Sequence, residues 1–259
     1  MNIELKKSYQ ATIIDGVCLP FSPRWGLREL SLIIGEYQSG DEHEQHFLQT
    51  VGSGNWYRSE YDEFRFRQDN HQLESIWFHL PEVNIEPDKQ DIISLWQFET
   101  PIKGLLSLLS LQGFNPEPMD FRFLEQNGNF LACISEMALT TTKNKNRLRL
   151  RIAKDFDLLF IEQKLCGWLL SHPINYLVMS WDEPSSVTID EQFVSIVHEY
   201  LNLIAEPNIE KIEDEDPEIL ESLLALHKRI SISTKYTYQF QIVTNCIQEI
   251  VEQFYSYMI

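Results

Sequence analysis

Positive charge is scarce in this chain. Its 259 residues include 21 Lys and Arg against 39 Asp and Glu, which gives a formal net charge of -18. A field of this sign repels phosphate backbones and anionic lipid surfaces, and it attracts a basic protein over distances that salt shortens. The composition therefore argues against nucleic acid and membrane surfaces as partners and favours a basic protein.

Long apolar segments are missing as well. The most apolar stretch, at residues 105–111, is too short to cross a bilayer and contains two serines. The amino terminus lacks the basic start and the continuous apolar run of a secretory signal. We therefore expect a soluble cytoplasmic protein with reduced thiols. Its four cysteines are far apart in apolar contexts, which predicts buried free thiols at Cys18, Cys133, Cys166 and Cys246.

Sequence motifs for catalysis or cofactor binding are also missing. The chain has no Gly-x-Ser-x-Gly elbow and no Cys-x-x-Cys pair, and Gly52-Ser53-Gly54 lacks the Lys-Ser/Thr of a phosphate loop. Residues 41–46 would place His43 and His46 on one helix face, but their spacing departs from the zincin pattern, so a solvated helix face is favoured. We predict no catalytic residue, no cofactor and no metal.

The apolar content is that of an ordered globular protein. Hydrophobic residues make up 43% of the chain and aromatic residues 12%, which is enough to bury a core without disulfides or metals. At this length the chain falls between one large domain and two ordinary ones. Short apolar runs separated by turn signals predict strands and hairpins over the first two-thirds.

Three turn signals mark the predicted hairpins. Asp15-Gly16 separates the apolar residues 11–14 from 17–19. Residues 64–78 and 121–134 each contain Phe-Arg-Phe, a polar turn with Asn and an apolar return strand. This likeness raises the hypothesis of two related hairpin modules. Within this region, residues 41–51 and 102–111 have a helical pattern.

A third set of predicted strands carries a basic stripe. Leucine and isoleucine alternate with arginine over residues 147–152, and further strands are predicted at 156–161 and 165–170. The stripe contains Lys143, Lys145, Arg147, Arg149, Arg151 and Lys154. It could hold phosphates or carboxylates, or it could be a solvent face or pack against the protein's own acidic segment; the net charge favours the latter pair. The nearby Asp155 and Asp157 could act as acid and base only if burial separated their pKa values.

Helical periodicity replaces strand periodicity from Val187 onwards. Thr188 and Glu191 have the spacing of a capping box before the first predicted helix. Asp216, followed by proline, predicts the start of a second helix, and residues 238–257 form a third apolar helical pattern.

These patterns together predict an α+β fold. An antiparallel, hairpin-rich region covers residues 1–183 and a helical region covers residues 187–259. The segment between them is either a domain boundary or a turn within one domain.

Acidic residues are concentrated between the first two predicted helices. We call residues 206–221 the acidic tract. It contains Glu206, Glu210, Glu213, Asp214, Glu215, Asp216, Glu218 and Glu221 against a single Lys211. One interpretation is a solvated loop that keeps the protein soluble. The other is a docking surface for a basic partner, and on that interpretation these eight carboxylates are the predicted partner-binding residues.

Acidic charge, many strands and no catalytic motif are typical of small bacterial accessory proteins, some of which neutralise a toxin by binding it. This likeness is one of type. We predict a non-enzymatic immunity- or antitoxin-like inhibitor of a basic effector such as a nuclease. A structural or assembly subunit that forms a homo-oligomer is the alternative, and an enzyme whose site is assembled from distant residues is the third hypothesis.

Overall fold

The computed structural model describes residues 1–7, 9–53, 61–110, 115–141, 145–184, 191–232 and 237–255. Strands occupy most of the first two-thirds of the chain, and helices occupy the last third. The fold is therefore α+β, as the sequence predicts.

Fourteen strands lie in the described part of the chain. They are β1 (Asn2–Lys6), β2 (Tyr9–Asp15), β3 (Arg24–Gly26), β4 (Ser31–Ile34), β5 (Thr50–Gly52), β6 (Glu63–Arg67), β7 (Leu73–His79), β8 (Ile102–Leu108), β9 (Phe121–Leu124), β10 (Phe130–Ile134), β11 (Arg147–Ala153), β12 (Phe156–Ile161), β13 (Lys164–Ser171) and β14 (Leu177–Val178). The helical pattern at residues 102–111 is misleading. This segment forms β8, which pairs with β2 and β11 and is largely buried, and a short buried strand has the same apolar pattern as a helix.

Seven α-helices lie in the same ranges. They are α1 (Gly40–Gln49), α2 (Gln90–Gln97), α3 (Glu136–Thr140), α4 (Glu191–Leu203), α5 (Asn208–Glu213), α6 (Pro217–Ser231) and α7 (Tyr238–Tyr255). Asp216 caps α6 as predicted, because its carboxylate accepts hydrogen bonds from the backbone N–H groups of Glu218 at 2.8 Å and Ile219 at 3.2 Å. The predicted boundary at Val187 and the capping residue Thr188 lie outside the described residues.

The strands form two sheets. An eight-stranded sheet has the order β1-β2-β8-β11-β12-β13-β10-β9, and a six-stranded sheet has the order β14-β3-β4-β7-β6-β5. Most neighbours are antiparallel, and the parallel pairs are β1 with β13, β8 with β11 and β3 with β14. Pairing of Glu4 with Lys164 joins β1 to β13, so six strands of the larger sheet close into a ring.

Each sheet contains the same ββαβββ arrangement. The first unit is β3-β4-α1-β5-β6-β7, and the second unit is β9-β10-α3-β11-β12-β13. In both units the spatial order is first, second, fifth, fourth and third strand, with every neighbouring pair antiparallel. A serine precedes the helix in each unit, Ser39 in the first and Ser135 in the second. One topology is therefore used twice in this chain.

The predicted hairpins fit this arrangement in an unexpected way. Both Phe-Arg-Phe hairpins are present, but β6 and β7 are the last two strands of the first unit, whereas β9 and β10 are the first two of the second. The two similar hairpins therefore occupy different positions in the two units, and their sequence similarity does not align one unit with the other. The predicted hairpin at Asp15-Gly16 is wrong, because β2 pairs with β1 and β8, and Leu19 donates its backbone N–H to the carbonyl of Ile152. Long-range pairing overrides the local turn signal there.

Side chains from both sheets and from the helical region meet in one hydrophobic core. The ring of Phe78 in the smaller sheet lies 6.1 Å from that of Phe156 and 6.3 Å from that of Trp168 in the larger one. Leu223 of α6 and Phe240 of α7 belong to the same buried cluster. This packing brings the helical region against the turn between β3 and β4.

Candidate functional site

A groove between the helical region and the first unit is the candidate site. It is bounded by α4, α5, α7 and the turn between β3 and β4, and its volume is about 670 Å³. Cavities of this size accept small ligands or several side chains of a partner. We call it the acidic groove, for the charges described below.

Helix α7 presents one of its faces to the acidic groove. Cys246, Glu249, Ile250 and Gln253 line it, and their spacing of one helical turn places them on one side of α7. Ile247, one position further round the helix, is fully buried in the core. The amphipathic pattern of α7 therefore anchors one side of the helix and leaves the other side to form the groove wall.

The floor of the groove is apolar. Leu27, Tyr200, Ile204 and Ile212 line it and are buried, whereas Phe254 is half-buried at its side. The apolar lining that a partner can still remove from water is the half-buried Leu30, Ile209, Ile250 and Phe254, at a gain of roughly 25 cal/mol per Å². The floor can therefore hold an apolar side chain of a bound segment.

The rim of the groove is negatively charged. Glu82, Glu213, Glu249 and Glu252 line it, and among the described lining residues Arg28 is the cationic one. Nε of Arg28 lies 2.9 Å from Oε2 of Glu249. Four carboxylates against one guanidinium leave an excess of negative charge beside an apolar surface, which suits a segment with both apolar and basic side chains.

The acidic tract flanks this groove and contributes little to its lining. Of the eight predicted residues, Glu213 lines the groove and Asp216 caps α6. The other six are exposed outside the lining: Glu206, Glu210, Asp214, Glu215, Glu218 and Glu221. The expectation that the tract is mostly loop is wrong, because α5 forms within it and buries Ile212.

Two hydrogen bonds hold the tract beside the groove, one at its first residue and one at the start of α6. The backbone N–H of Glu206 donates to the carbonyl of Glu82 at 3.0 Å. The hydroxyl of Tyr255 on α7 donates to the carbonyl of Asp216 at 3.1 Å. Burial, and then the nearby charges of Asp216 and Glu215, raise the pKa of the Tyr255 hydroxyl, so this donor keeps its proton.

No local sequence pattern identifies several of the groove residues as part of a site. Glu249 and Glu252 look like ordinary polar positions of an amphipathic helix, and periodicity does predict that they face away from the core. Glu82 and Arg28 come from loops in the strand-rich region, far from α7 in sequence. Their contribution depends on the packing of that region against the helices, which no local pattern encodes.

The two histidines of α1 contact the sheet of the first unit. His43 is 7% exposed and its Nε2 lies 3.0 Å from the Glu63 carboxylate, while Nε2 of His46 lies 2.8 Å from the Ser75 hydroxyl. They share a helix face as predicted, but the prediction that this face is solvated is wrong. Within the described ranges, no group of three or more His, Cys, Asp or Glu side chains could hold a metal ion.

Two arginines of the predicted basic stripe are neutralised within the second unit, and a third packs on α2. Asp157, fully buried on β12, accepts hydrogen bonds from Nε of Arg149 at 3.1 Å and from Nε of Arg151 at 2.8 Å. The guanidinium of Arg147 lies 5.8 Å from the ring centroid of Trp96. This part of the stripe is therefore neither a solvent face nor a partner of the acidic tract.

Other predicted features have structural roles or fall outside the described residues. Asp155 accepts a hydrogen bond from the hydroxyl of Tyr176 at 2.7 Å. Ser53 is buried and donates to the carbonyl of Asp62 at 3.0 Å. Lys143 of the stripe, and Gly54 of the glycine-containing turn, are not among the described residues.

All four cysteines are free thiols. Cys133, Cys166 and Cys246 are buried, as predicted, and Cys18 is half-buried. Burial raises the pKa of Cys246, which lines the groove, to about 12, and it raises the pKa of Cys133 and Cys166 as well. These three thiols are therefore protonated near neutral pH and are poor nucleophiles.

Comparison of the chain with protein-family models, with curated proteins and with solved structures finds no match. None of the helices in the described ranges is long and apolar enough to cross a membrane. The geometry and charge of the acidic groove are therefore the features of this chain that point to a function.

Proposed function

We propose that this chain is a non-enzymatic binding protein whose acidic groove receives a basic segment of a partner protein. In this proposal it is an immunity- or antitoxin-like inhibitor of a basic effector, such as a nuclease toxin. The observation that carries the proposal is the combination in one groove of a buried apolar floor with a rim of four carboxylates.

Charge supports a basic partner. The whole chain has a net charge of -18, and the exposed carboxylates of the acidic tract lie beside the groove. Electrostatic attraction of this kind speeds association and disfavours anionic competitors. A basic nuclease surface, which binds phosphates, has the charge pattern that these carboxylates attract.

The apolar floor supports a long-lived complex. Charged rim residues mainly affect association, whereas a buried apolar anchor at the centre of an interface slows dissociation. The half-buried Leu30, Ile209 and Ile250 provide such a centre above the buried floor, and Glu213 and Glu252 lie at its edge. An inhibitor needs both properties, because it has to reach its target quickly and then remain bound.

The test begins with capture of partners by the tagged chain at low salt, followed by reconstitution with each purified candidate. The groove variant is Glu213→Gln with Glu249→Gln and Glu252→Gln. Its matched control is Glu210→Gln with Glu218→Gln and Glu221→Gln, which changes the net charge equally at exposed residues outside the lining.

The groove variant should bind the partner at least about 10-fold more weakly than the parent, and the control variant should be within about 3-fold of it. If the partner is a nuclease, the parent should inhibit it and the groove variant should not. Equal weakening by both variants would show that net charge acts without the groove. A stable homo-oligomer that buries the groove would favour the assembly subunit instead.

A further inference from the structure

Arg28 extends from the turn between β3 and β4 to the opposite wall of the acidic groove. Its side chain is 59% exposed, and its Nε lies 2.9 Å from Oε2 of Glu249 on α7 and 3.9 Å from Oε1 of Glu29. The Glu249 side chain is 44% exposed. The protein therefore places one of its own guanidinium groups on a carboxylate of the surface proposed to bind a basic partner.

We infer that Arg28 is an internal stand-in for the partner, and that an arginine or lysine of the bound segment replaces it at Glu249. This inference rests on the proposed function. The partner segment it requires has a basic side chain within one helical turn of an apolar one, because Glu249 and Ile250 are neighbours on α7 and both line the groove.

The exchange is physically reasonable because the internal pair is exposed. Exposed ion pairs contribute between zero and about 1 kcal/mol, so displacing Arg28 costs little. A partner segment that covers Glu249 excludes water from the new ion pair, which strengthens the Coulombic attraction, and the apolar contacts of the same segment offset the cost of desolvation.

The inference predicts a gain of affinity from removing a positive charge at one position. The variant Arg28→Gln should bind a basic amphipathic segment about 2- to 5-fold more tightly, because the internal competitor is gone. Arg67 supplies a matched control. It is 54% exposed, its Nε lies 3.2 Å from Oε1 of Glu74, and it does not line the groove. Arg67→Gln changes the net charge by the same amount.

The probe is a synthetic 15-residue amphipathic peptide of leucine, lysine and arginine with helical spacing, alongside a scrambled peptide of the same composition. Binding is measured by fluorescence anisotropy at about 20 mM and 300 mM salt, at which the Debye lengths differ several-fold. The proteins are the parent, Arg28→Gln, Arg67→Gln, Glu249→Gln and the double variant with Arg28→Gln and Glu249→Gln. Circular dichroism and thermal unfolding verify that each is folded.

Tighter binding by Arg28→Gln at both salt concentrations, absent in the Glu249→Gln background, would support the inference. Arg67→Gln should produce a smaller gain that disappears at high salt. Weaker binding by Arg28→Gln, or a gain equal to that of Arg67→Gln, would overturn the stand-in role while the groove still bound the peptide. If the parent binds the ordered peptide no better than the scrambled one, the proposed function fails as well.

Discussion

The outer faces of the two ββαβββ units are covered in different ways. In the second unit, α2 and α3 cover the sheet, and the buried ion pair of Arg149 with Asp157 lies on this face, where Arg149 donates a hydrogen bond to the carbonyl of Trp96 on α2. The rest of the face is an apolar cluster: Ile85, Ile93, Trp96, Phe130, Ala132, Ile134, Ala138, Leu159, Ile161, Cys166 and Leu169. In the first unit, α1 covers the equivalent face with His43 and His46 placed over Glu63 and Ser75. The same topology therefore accommodates an apolar cluster with one buried ion pair in the second unit, and histidines paired with polar side chains in the first.

Aromatic rings fill the polar interface of the first unit. The ring of His43 lies 4.7 Å from that of Tyr37 and 4.8 Å from that of Trp77, and Trp181 lies 5.5 Å from Trp77. Trp181 belongs to the segment that joins the strands to the helices, so that segment is packed onto the first unit. In these two units strand order therefore determines where a helix lies, whereas the side chains determine the chemistry beneath it.

The buried arginines of the two units have different partners. Arg65 of the first unit is 4% exposed and donates hydrogen bonds to the backbone carbonyls of Phe47, Thr50 and Ser53 at 2.7 to 2.9 Å. It thereby satisfies carbonyls at the carboxyl end of α1. Arg149 of the second unit is paired instead with the buried carboxylate of β12 described above. One unit neutralises a guanidinium with a charge, and the other surrounds it with dipoles.

The largest effect is expected from breaking the ion pair of the second unit. Asp157→Asn leaves Arg149 and Arg151 without their counter-charge, and Arg149 is buried, so the free energy of unfolding should fall by about 3–5 kcal/mol. Urea unfolding measures this loss. The double variant Asp157→Leu with Arg149→Met should lose less stability than Asp157→Asn, because the buried positive charge of Arg149 is then gone. A loss under about 1 kcal/mol would show that the pair is not structurally important.

A somewhat smaller effect is expected in the first unit. Arg65→Lys has too few donors and the wrong shape for the carbonyls at the end of α1, and it should lower the free energy of unfolding by about 2–4 kcal/mol. Amide hydrogen exchange should accelerate at residues 46–53. The control is Arg67→Lys on the same strand, which is exposed and should change stability by less than about 0.5 kcal/mol. Equal effects would remove the contrast between the two positions.

Stability of the first unit should depend on pH through two groups with opposite signs. Burial, opposed by hydrogen bonds from His79, raises the pKa of Asp62 to about 6, so its contribution to stability falls as the pH rises from about 4 to 6. Burial, then the charges of Arg65 and His43, lower the pKa of His46 to about 4, so its contribution rises with pH between about 4 and 6.5.

Single substitutions should separate these two slopes. Asp62→Asn removes the falling contribution and leaves stability rising with pH, whereas His46→Gln leaves it falling. The contribution of Asp62 to the free energy of unfolding should change by about 3 kcal/mol at most between about pH 4 and pH 6. Urea unfolding at pH 4, 5, 6 and 7 measures both. Parallel pH profiles for the two variants would contradict the assignment.

The smallest effect is expected at the first residues of helices α1 and α3. The hydroxyl of Ser39 accepts a hydrogen bond from the backbone N–H of Glu42 at 3.2 Å, whereas Ser135 makes no such cap bond and donates to the carbonyl of Cys166. Ser39→Ala should cost about 1 kcal/mol and increase fraying of α1. Ser135→Ala should cost less, because no helix N–H loses its partner. Thermal unfolding of both variants, with hydrogen exchange of α1, measures the difference.

Prediction from sequence succeeded best where one local pattern suffices. The α+β class, the start of α6 at Asp216, and the hairpins of β6 with β7 and of β9 with β10 follow from periodicity, capping and turn residues. It failed at residues 102–111, where burial on both faces makes a strand look helical, and at Asp15-Gly16, where pairing with distant strands replaces a hairpin. The repeated topology also went undetected, because it depends on strand order rather than on similar residues.

The candidate site divides in the same way. Charge is a property of composition, so the excess of carboxylates and the acidic tract follow directly from the sequence. Of the eight residues predicted to bind a partner, Glu213 lines the groove. The groove itself is a product of packing. Glu82 and Arg28 lie beside α7 only because the sheets and helices share one core. The roles of Asp157 and His43 likewise depend on their partners Arg149 and Glu63, which lie on other elements of the fold. Local free energies of turns, caps and amphipathic faces act over a few residues, whereas burial and ion pairing depend on which surfaces the folded chain brings together.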